Sequence, residues 1–302
     1  MNRPNFFVIG AGRSGTTSLY HYLKQHPDVF MSPIKETNFF AYEGETERSH
    51  FMGLETKYQF PVVTMADYLA LFNGASGRKA IGEVSPLYLH SRYAAEGIKK
   101  FSPRAKLIAI LRHPVERAHS SFQLLLREGR ENRTFAEAVR QEQGGIEAAS
   151  TTFAQRHYLR FGLYSHYLST YLHLFDRRQI VVCLFDDLAA GPKTLMSRLF
   201  RFLEVDATFV PDVSVRHNAA GTPTNVFWRL ALTKNPLSRI LGRLTPACVR
   251  HRALAIQDAA RSRHLVKPEL SDGLRCNLNQ FYRDDILQLQ DLLQRDLSLW
   301  LQ

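Results

Sequence analysis

Apolar positions along the chain fall into short runs separated by longer amphipathic stretches. Phe6 to Ile9 is the first run and Gly10 ends it; a helical pattern then spans about Thr16 to Lys24, and Pro27 closes the segment. Lys79 to Val84 is a second strand candidate, broken by Ser85-Pro86. KLIAIL over Lys106 to Leu111 leads through Arg112-His113-Pro114 into a helical pattern that reaches Arg127. QIVVCLF over Gln179 to Phe185 leads through DDL and Gly191-Pro192 into the helix KTLMSRLFRFLEV. Short apolar runs recurring between helices predict an α/β fold with a buried, mainly parallel sheet. The stretch from Glu128 to Gly162 is polar and reads as helical around a loop at Gly144-Gly145. Near the C-terminus Tyr282, Ile286, Leu289, Leu293, Leu297 and Trp300 recur every three or four residues, a stripe that predicts a helix docked on the core.

Composition agrees with that picture. The 302 residues, 45% hydrophobic and 22% charged, suffice for one large globular domain, expected to span 1–302. The apolar run near Met1 is too short for a signal-peptide core, and no uninterrupted apolar stretch reaches eighteen residues. A cytoplasmic protein without a transmembrane segment is therefore expected. Cys183, Cys248 and Cys276 form no metal or disulfide spacing, and Cys183 reads as a buried small hydrophobe; no metal site is expected.

Charge opens more questions than it closes. A formal net charge of +11 suits a nucleic acid, an anionic membrane, an acidic polymer or a small phosphorylated ligand. From Arg216 to Gln257 there are seven arginines or lysines and no acidic residue, which marks about 216–257 as a lid-like or peripheral basic segment. Its Val226 to Leu244 portion leaves peripheral membrane contact open. No zinc-finger spacing, RNP-like segment or basic recognition helix accompanies the charge, so a noncatalytic nucleic-acid-binding protein is the weaker reading.

The chemistry concentrates in GAGRSGTT, Gly10 to Thr17. A strand feeding a glycine-rich turn into a helix N-terminus presents oriented N–H groups to an anion, and Arg13 adds a positive charge. Ser14, Thr16 and Thr17 add hydroxyl donors. Glycines at 10, 12 and 15 formally fit the dinucleotide fingerprint, but Asp28, the acidic residue downstream, follows a His-Pro turn instead of ending a second strand. A Walker loop would need lysine where Thr16 stands. That weakens an ATP-dependent, kinase-like phosphotransferase, the enzymatic alternative.

GAGRSGTTSLYHYLKQHPDV closely resembles the 5′-phosphosulfate loop of sulfotransferases that use 3′-phosphoadenosine-5′-phosphosulfate (PAPS), and LRHPVERAHSSF resembles their 3′-phosphate segment. With PIKETNFF, IGEVSPLYL and YRDDILQLQDLLQRDLSLW, the resemblance runs over nearly the whole chain and is nearest to the branch of heparan sulfate enzymes and their bacterial relatives. It implies a P-loop-like three-layer fold and transfer of a sulfonate from PAPS to an acceptor hydroxyl or amine, on a small molecule or glycan, with PAP as product. It implies further that Arg13, Ser14, Gly15, Thr16, Thr17 and Ser18 cradle the 5′ end of the nucleotide, and that Arg112 and Ser120 grip its 3′-phosphate. Tyr164, Arg216 and Asn218 are carried over as further cofactor contacts. Glu36 is implied as general base, with Arg13 and Lys35 stabilising the transferring group and Phe39 and Phe40 walling the pocket. Glu83 falls at the active-site edge as a secondary candidate. Two departures stand out: Val84 replaces a lysine of certain heparan sulfate enzymes, and NAAGTPTN lacks the basic glycine loop common after Arg216.

Overall fold

A computed structural model describes residues 2–41, 62, 64–144, 157–215 and 270–302, with the backbone of 222–223 and 265–266. The chain divides into two compact units. The first comprises Met1–Arg117, Arg160–His217 and Asn279–Gln302, the second Ala118–Leu159 and Asn218–Leu278.

The first unit is built on five parallel strands: β1 (Phe6–Gly10), β2 (Val29–Met31), β3 (Ala80–Val84), β4 (Lys106–Leu111) and β5 (Ile180–Leu184), in the spatial order β2-β3-β1-β4-β5. Helices flank this sheet: α1 (Thr16–Leu23), α2 (Met65–Ala70), α3 (Ala94–Phe101), α6 (Tyr164–Leu174), α7 (Phe185–Ala190) and α8 (Pro192–Phe202). Alternate residues of a strand face opposite sides of a sheet. Phe6 and Val8 are fully buried, and so are Phe7 and Ile9, so β1 is covered on both faces. On one face Phe6, Val8, Ile108, Ile110, Val181 and Cys183 pack with Leu19 and Leu23 of α1 and Met196 and Leu199 of α8. On the other, Phe7 meets Phe40 edge-on at 6.0 Å.

The α/β expectation with a parallel sheet holds, and four of the five strands lie where the apolar runs placed them. The fifth, β2, is three residues long and was not foreseen. Its backbone extends because the Asp28 carbonyl accepts from both Lys79 and Ala80, fastening the chain beside β3. Phe185, the last residue of the apolar run, does not extend β5 but begins α7, where Asp187 caps the Leu184 amide at 3.0 Å. The C-terminal stripe is buried throughout, but its helix α9 (Asp272–Leu293) stops early. Leu297 and Trp300 belong to a separate turn, held by the Asp187–Arg295 ion pair and by Trp300 Nε1 donating to Asp186.

In the second unit, α5 (Phe135–Gln143) opens with a capping box between Thr134 and Glu137. Glu131 is buried there and accepts from Arg133 and from the Tyr158 hydroxyl at 2.8 Å. Burial pushes its carboxyl up, but those side chains and the Asn132 and Arg133 amides outweigh it and bring it to about 2. Two short strands, β6 (Thr222–Pro223) and β7 (Leu265–Val266), pair antiparallel. The rest of the basic 216–257 segment, with Arg216, Asn218 and the Val226–Leu244 stretch, lies outside the described residues.

Candidate active site

The glycine-rich loop leaves β1 and enters α1 at Gly15. This residue adopts φ 97°, in the left-handed region, and a Cβ there would stand 2.7 Å from Leu188 Cδ2. Glycine therefore answers both the backbone and the packing. No side chain caps α1, so the amides of its first turn are presented by the backbone alone. The Ala11 amide donates to the Ile110 carbonyl at 2.7 Å, tying the loop to β4. Ser14 Oγ is fully buried inside the loop, within reach of the Tyr164 hydroxyl but in no hydrogen bond of good geometry. An anion with oxygens to spare fits that arrangement. Thr16 and Ser18 are buried, whereas Gly12, Arg13, Gly15 and Thr17 keep partial access to solvent.

The second predicted segment arrives at the same place. Arg112 follows the end of β4, and its Nη1 donates to the carbonyl of Arg13 at 3.5 Å. Its Nη2 pairs with Glu116 at 3.3 Å, and its guanidinium lies 4.8 Å from the centre of the Phe185 ring. Burial pulls the Arg112 pKa down, and Glu116 partly restores it. The Tyr164 hydroxyl, expected on a phosphate, is instead engaged by the Arg112 carbonyl at 2.9 Å. Tyr164 is fully buried, which pushes its phenol up to about 12 even though Arg117 and Arg112 lie near. In this structure its hydroxyl props the backbone of Arg112. Arg117, itself buried, is a cation that the sequence reading did not single out. Ser120 is buried in the second unit, on α4 (Pro114–Arg127).

The third segment carries Glu36. Its amide donates to the Val84 carbonyl at 2.7 Å, fastening the loop to the end of β3, beside β1. The Glu36 carboxylate pairs with the Lys35 ammonium, and both side chains retain solvent access. Arg13, Glu36 and Asn38 have φ 69°, 66° and 52°, three of the five non-glycine residues with positive φ among those described. Each such conformation costs about 1 kcal/mol or more, and strain of this kind gathers at sites that surrounding contacts over-determine. Phe39 and Phe40 pack into the core. They are buried against Tyr68, Phe101 and each other, with the Phe39 and Tyr68 rings stacked at 4.3 Å, because a pair of adjacent aromatics gains more from the core than from a wet cleft.

Glu83 lies deeper than an active-site edge. It is fully buried and accepts four hydroxyl hydrogen bonds: from Thr37 at 2.5 Å, Tyr68 at 2.6 Å, Tyr88 at 2.8 Å and Ser85 at 2.9 Å. Burial pushes its pKa up, and the four hydroxyls hold it back. Its donors come from segments far apart in the chain, so only Ser85, two residues away, could have been suspected from the sequence. Among the described residues no group of three His, Cys, Asp or Glu could hold a metal, and no helix is long and apolar enough to cross a membrane.

A family model described as "Sulfotransferase family" matches residues 4–209. Human carbohydrate sulfotransferase 15 is 28% identical over 250 residues, which cover 67% of this chain and 44% of that protein. Mouse bifunctional heparan sulfate N-deacetylase/N-sulfotransferase 4 is 24% identical over 303 residues, covering 97% of this chain and 30% of that protein. The chain thus spans less than half the length of these curated relatives. A solved sulfotransferase from Alicyclobacillus acidocaldarius superposes with a TM-score of 0.74 at 29% identity, each chain covered in full.

Proposed function

The chain belongs to the sulfotransferase family, and from that premise we propose that it transfers a sulfonate from PAPS to a hydroxyl or amine of a carbohydrate acceptor, releasing PAP. The observation that supports this reading is the meeting of Arg112 with the Arg13 carbonyl at 3.5 Å, which joins the two segments proposed to hold the phosphates. A nucleotide with phosphates at both its 5′ and 3′ positions needs two cationic cradles within one molecule's reach, and a single glycine-rich loop would not supply them.

When bound, PAPS supplies an activated sulfonate on its 5′-phosphate. Arg13, the uncapped amides of α1 and the Ser14 hydroxyl hold the negative charge at that end. The planar fork of Arg112 suits a phosphate at the other. Glu36 takes the proton from the acceptor at a carboxylate oxygen as the acceptor attacks. Lys35, paired with Glu36 in this structure, turns to the sulfonate as negative charge gathers there. The carbohydrate acceptor is proposed from the names of the human and mouse relatives.

Thermal protection by PAP, compared with ATP and Mg²⁺, tests the donor. Protection by ATP and Mg²⁺ in preference to PAP would point to a phosphotransferase and defeat the reading. Incubation with sulfur-labelled PAPS and fractionated glycan pools then identifies the acceptor from the labelled product.

A further inference from the structure

The four hydroxyls around Glu83 do more than satisfy a buried carboxyl. All four donate to its carboxyl oxygens, so each hydroxyl points its single proton inward. The lone pairs of those hydroxyls are then turned outward, and three of them receive backbone amides. The Asn38 amide donates to Ser85 Oγ at 3.1 Å, the Phe39 amide to Thr37 Oγ1 at 3.4 Å and the Phe40 amide to the Tyr88 hydroxyl at 3.4 Å. Three consecutive amides are thereby linked, each through one hydroxyl, to one carboxylate. They begin two residues after Glu36, whose own amide is fixed to Val84, the neighbour of Glu83 on β3.

We propose that Glu83 is a positioning residue: a buried carboxyl hub that sets the direction of the Thr37, Ser85 and Tyr88 hydroxyls and so holds the 36–40 loop, with its strained backbone, in the conformation that presents Glu36. The inference deepens the function proposed above and rests on it for the role of Glu36. The hub itself stands on geometry alone. Glu83 touches no reacting atom; its effect reaches the reaction through the loop.

Glu83→Gln is nearly isosteric and tests the claim through donor direction. Oε1 receives Tyr68 and Tyr88, and Oε2 receives Thr37 and Ser85. Whichever oxygen becomes the amide nitrogen, two hydroxyls lose an acceptor and at least one link to the loop is broken. Amide hydrogen exchange of Glu83→Gln should show at least one of residues 38–40 exchanging about tenfold faster or more, with β1 and β4 unchanged. PAP affinity should stay within about twofold while kcat for sulfonate transfer falls about tenfold or more, since small misplacements of a catalytic group cost rates of that order. Unchanged exchange at 38–40, or acceleration spread equally over the sheet, would overturn the hub. If Glu83→Gln does not fold, Ser85→Ala and Tyr88→Phe each remove one link and should release the Asn38 and Phe40 amides respectively; unchanged exchange in both overturns it equally. Should the wild-type protein transfer no sulfonate from PAPS, the functional reading fails by itself and the exchange measurements still decide the hub.

Discussion

Replacing Arg112 by lysine keeps the charge and removes the fork, and the structure allows its cost to be divided. In the folded protein the guanidinium makes one half-buried pair with Glu116, one long hydrogen bond to the Arg13 carbonyl and one contact over the Phe185 ring. A lysine, a single point charge, can meet one of these partners but not all three at once, a loss of about 1 kcal/mol in stability. Towards a bound 3′-phosphate the loss is greater. Two parallel charge-assisted hydrogen bonds become one, which costs about 1.5–3 kcal/mol, or roughly tenfold to a hundredfold in affinity. The deficit should depend on the 3′-phosphate alone. Calorimetric titration of wild-type and Arg112→Lys protein with PAP, and with adenosine 5′-phosphosulfate, which lacks that phosphate, separates the two contributions. PAP should weaken by the full factor, and adenosine 5′-phosphosulfate should change less than about threefold. Equal weakening of both ligands, or unchanged PAP binding beside a lowered Tm, would refute the assignment of Arg112 to the 3′ end.

Three further outcomes are expected. Glu36→Gln should lower kcat by about 10²–10⁴-fold in single-turnover transfer and leave PAP affinity unaltered, as a general base would. Gly15→Ala should cost about 2 kcal/mol, read as a lowered midpoint in chemical denaturation, because φ 97° disfavours a side chain and Leu188 must move aside. The Glu131 carboxyl is held at about 2 when folded, so the stabilisation it contributes is present above its ordinary value and is lost as pH falls from about 4.5 towards 2. Denaturation of the wild type followed over that range should lose on the order of 2 kcal/mol that Glu131→Gln does not lose, once solvent screening is allowed for.

Much of this arrangement was legible in the sequence because it rests on local signals. KLIAIL is β4 to the residue, and Arg112-His113-Pro114 marks where the strand stops and α4 starts, so the position of Arg112 followed from a boundary alone. The turn at Gly10 to Thr17 was equally local. What escaped notice depends on distant partners. VFM forms a strand only because Asp28 and β3 meet across some fifty residues, and a three-residue run carries no period of its own. Tyr164 carried a polar tip that a sequence reading naturally aims at a ligand, and its burial turned that tip to the backbone. Glu83 looked like one acidic residue at a strand end. Its donors from Thr37, Tyr68 and Tyr88 exist only once the fold has gathered them, and the residue expected at the edge of the site proves to be fully enclosed.

The place of β1 at the middle of its sheet bears on how the protein is made. Phe6 pairs with Gly82 on one side and Lys106 on the other, seventy-six and a hundred residues downstream. The glycine-rich loop that follows β1 therefore gains its bordering strands only after β3 and then β4 have been synthesised. Pairing over such separations is intrinsically slow. Until it is complete, the apolar FFVIG strand has two open edges, the state in which a nascent chain sticks to others of its kind.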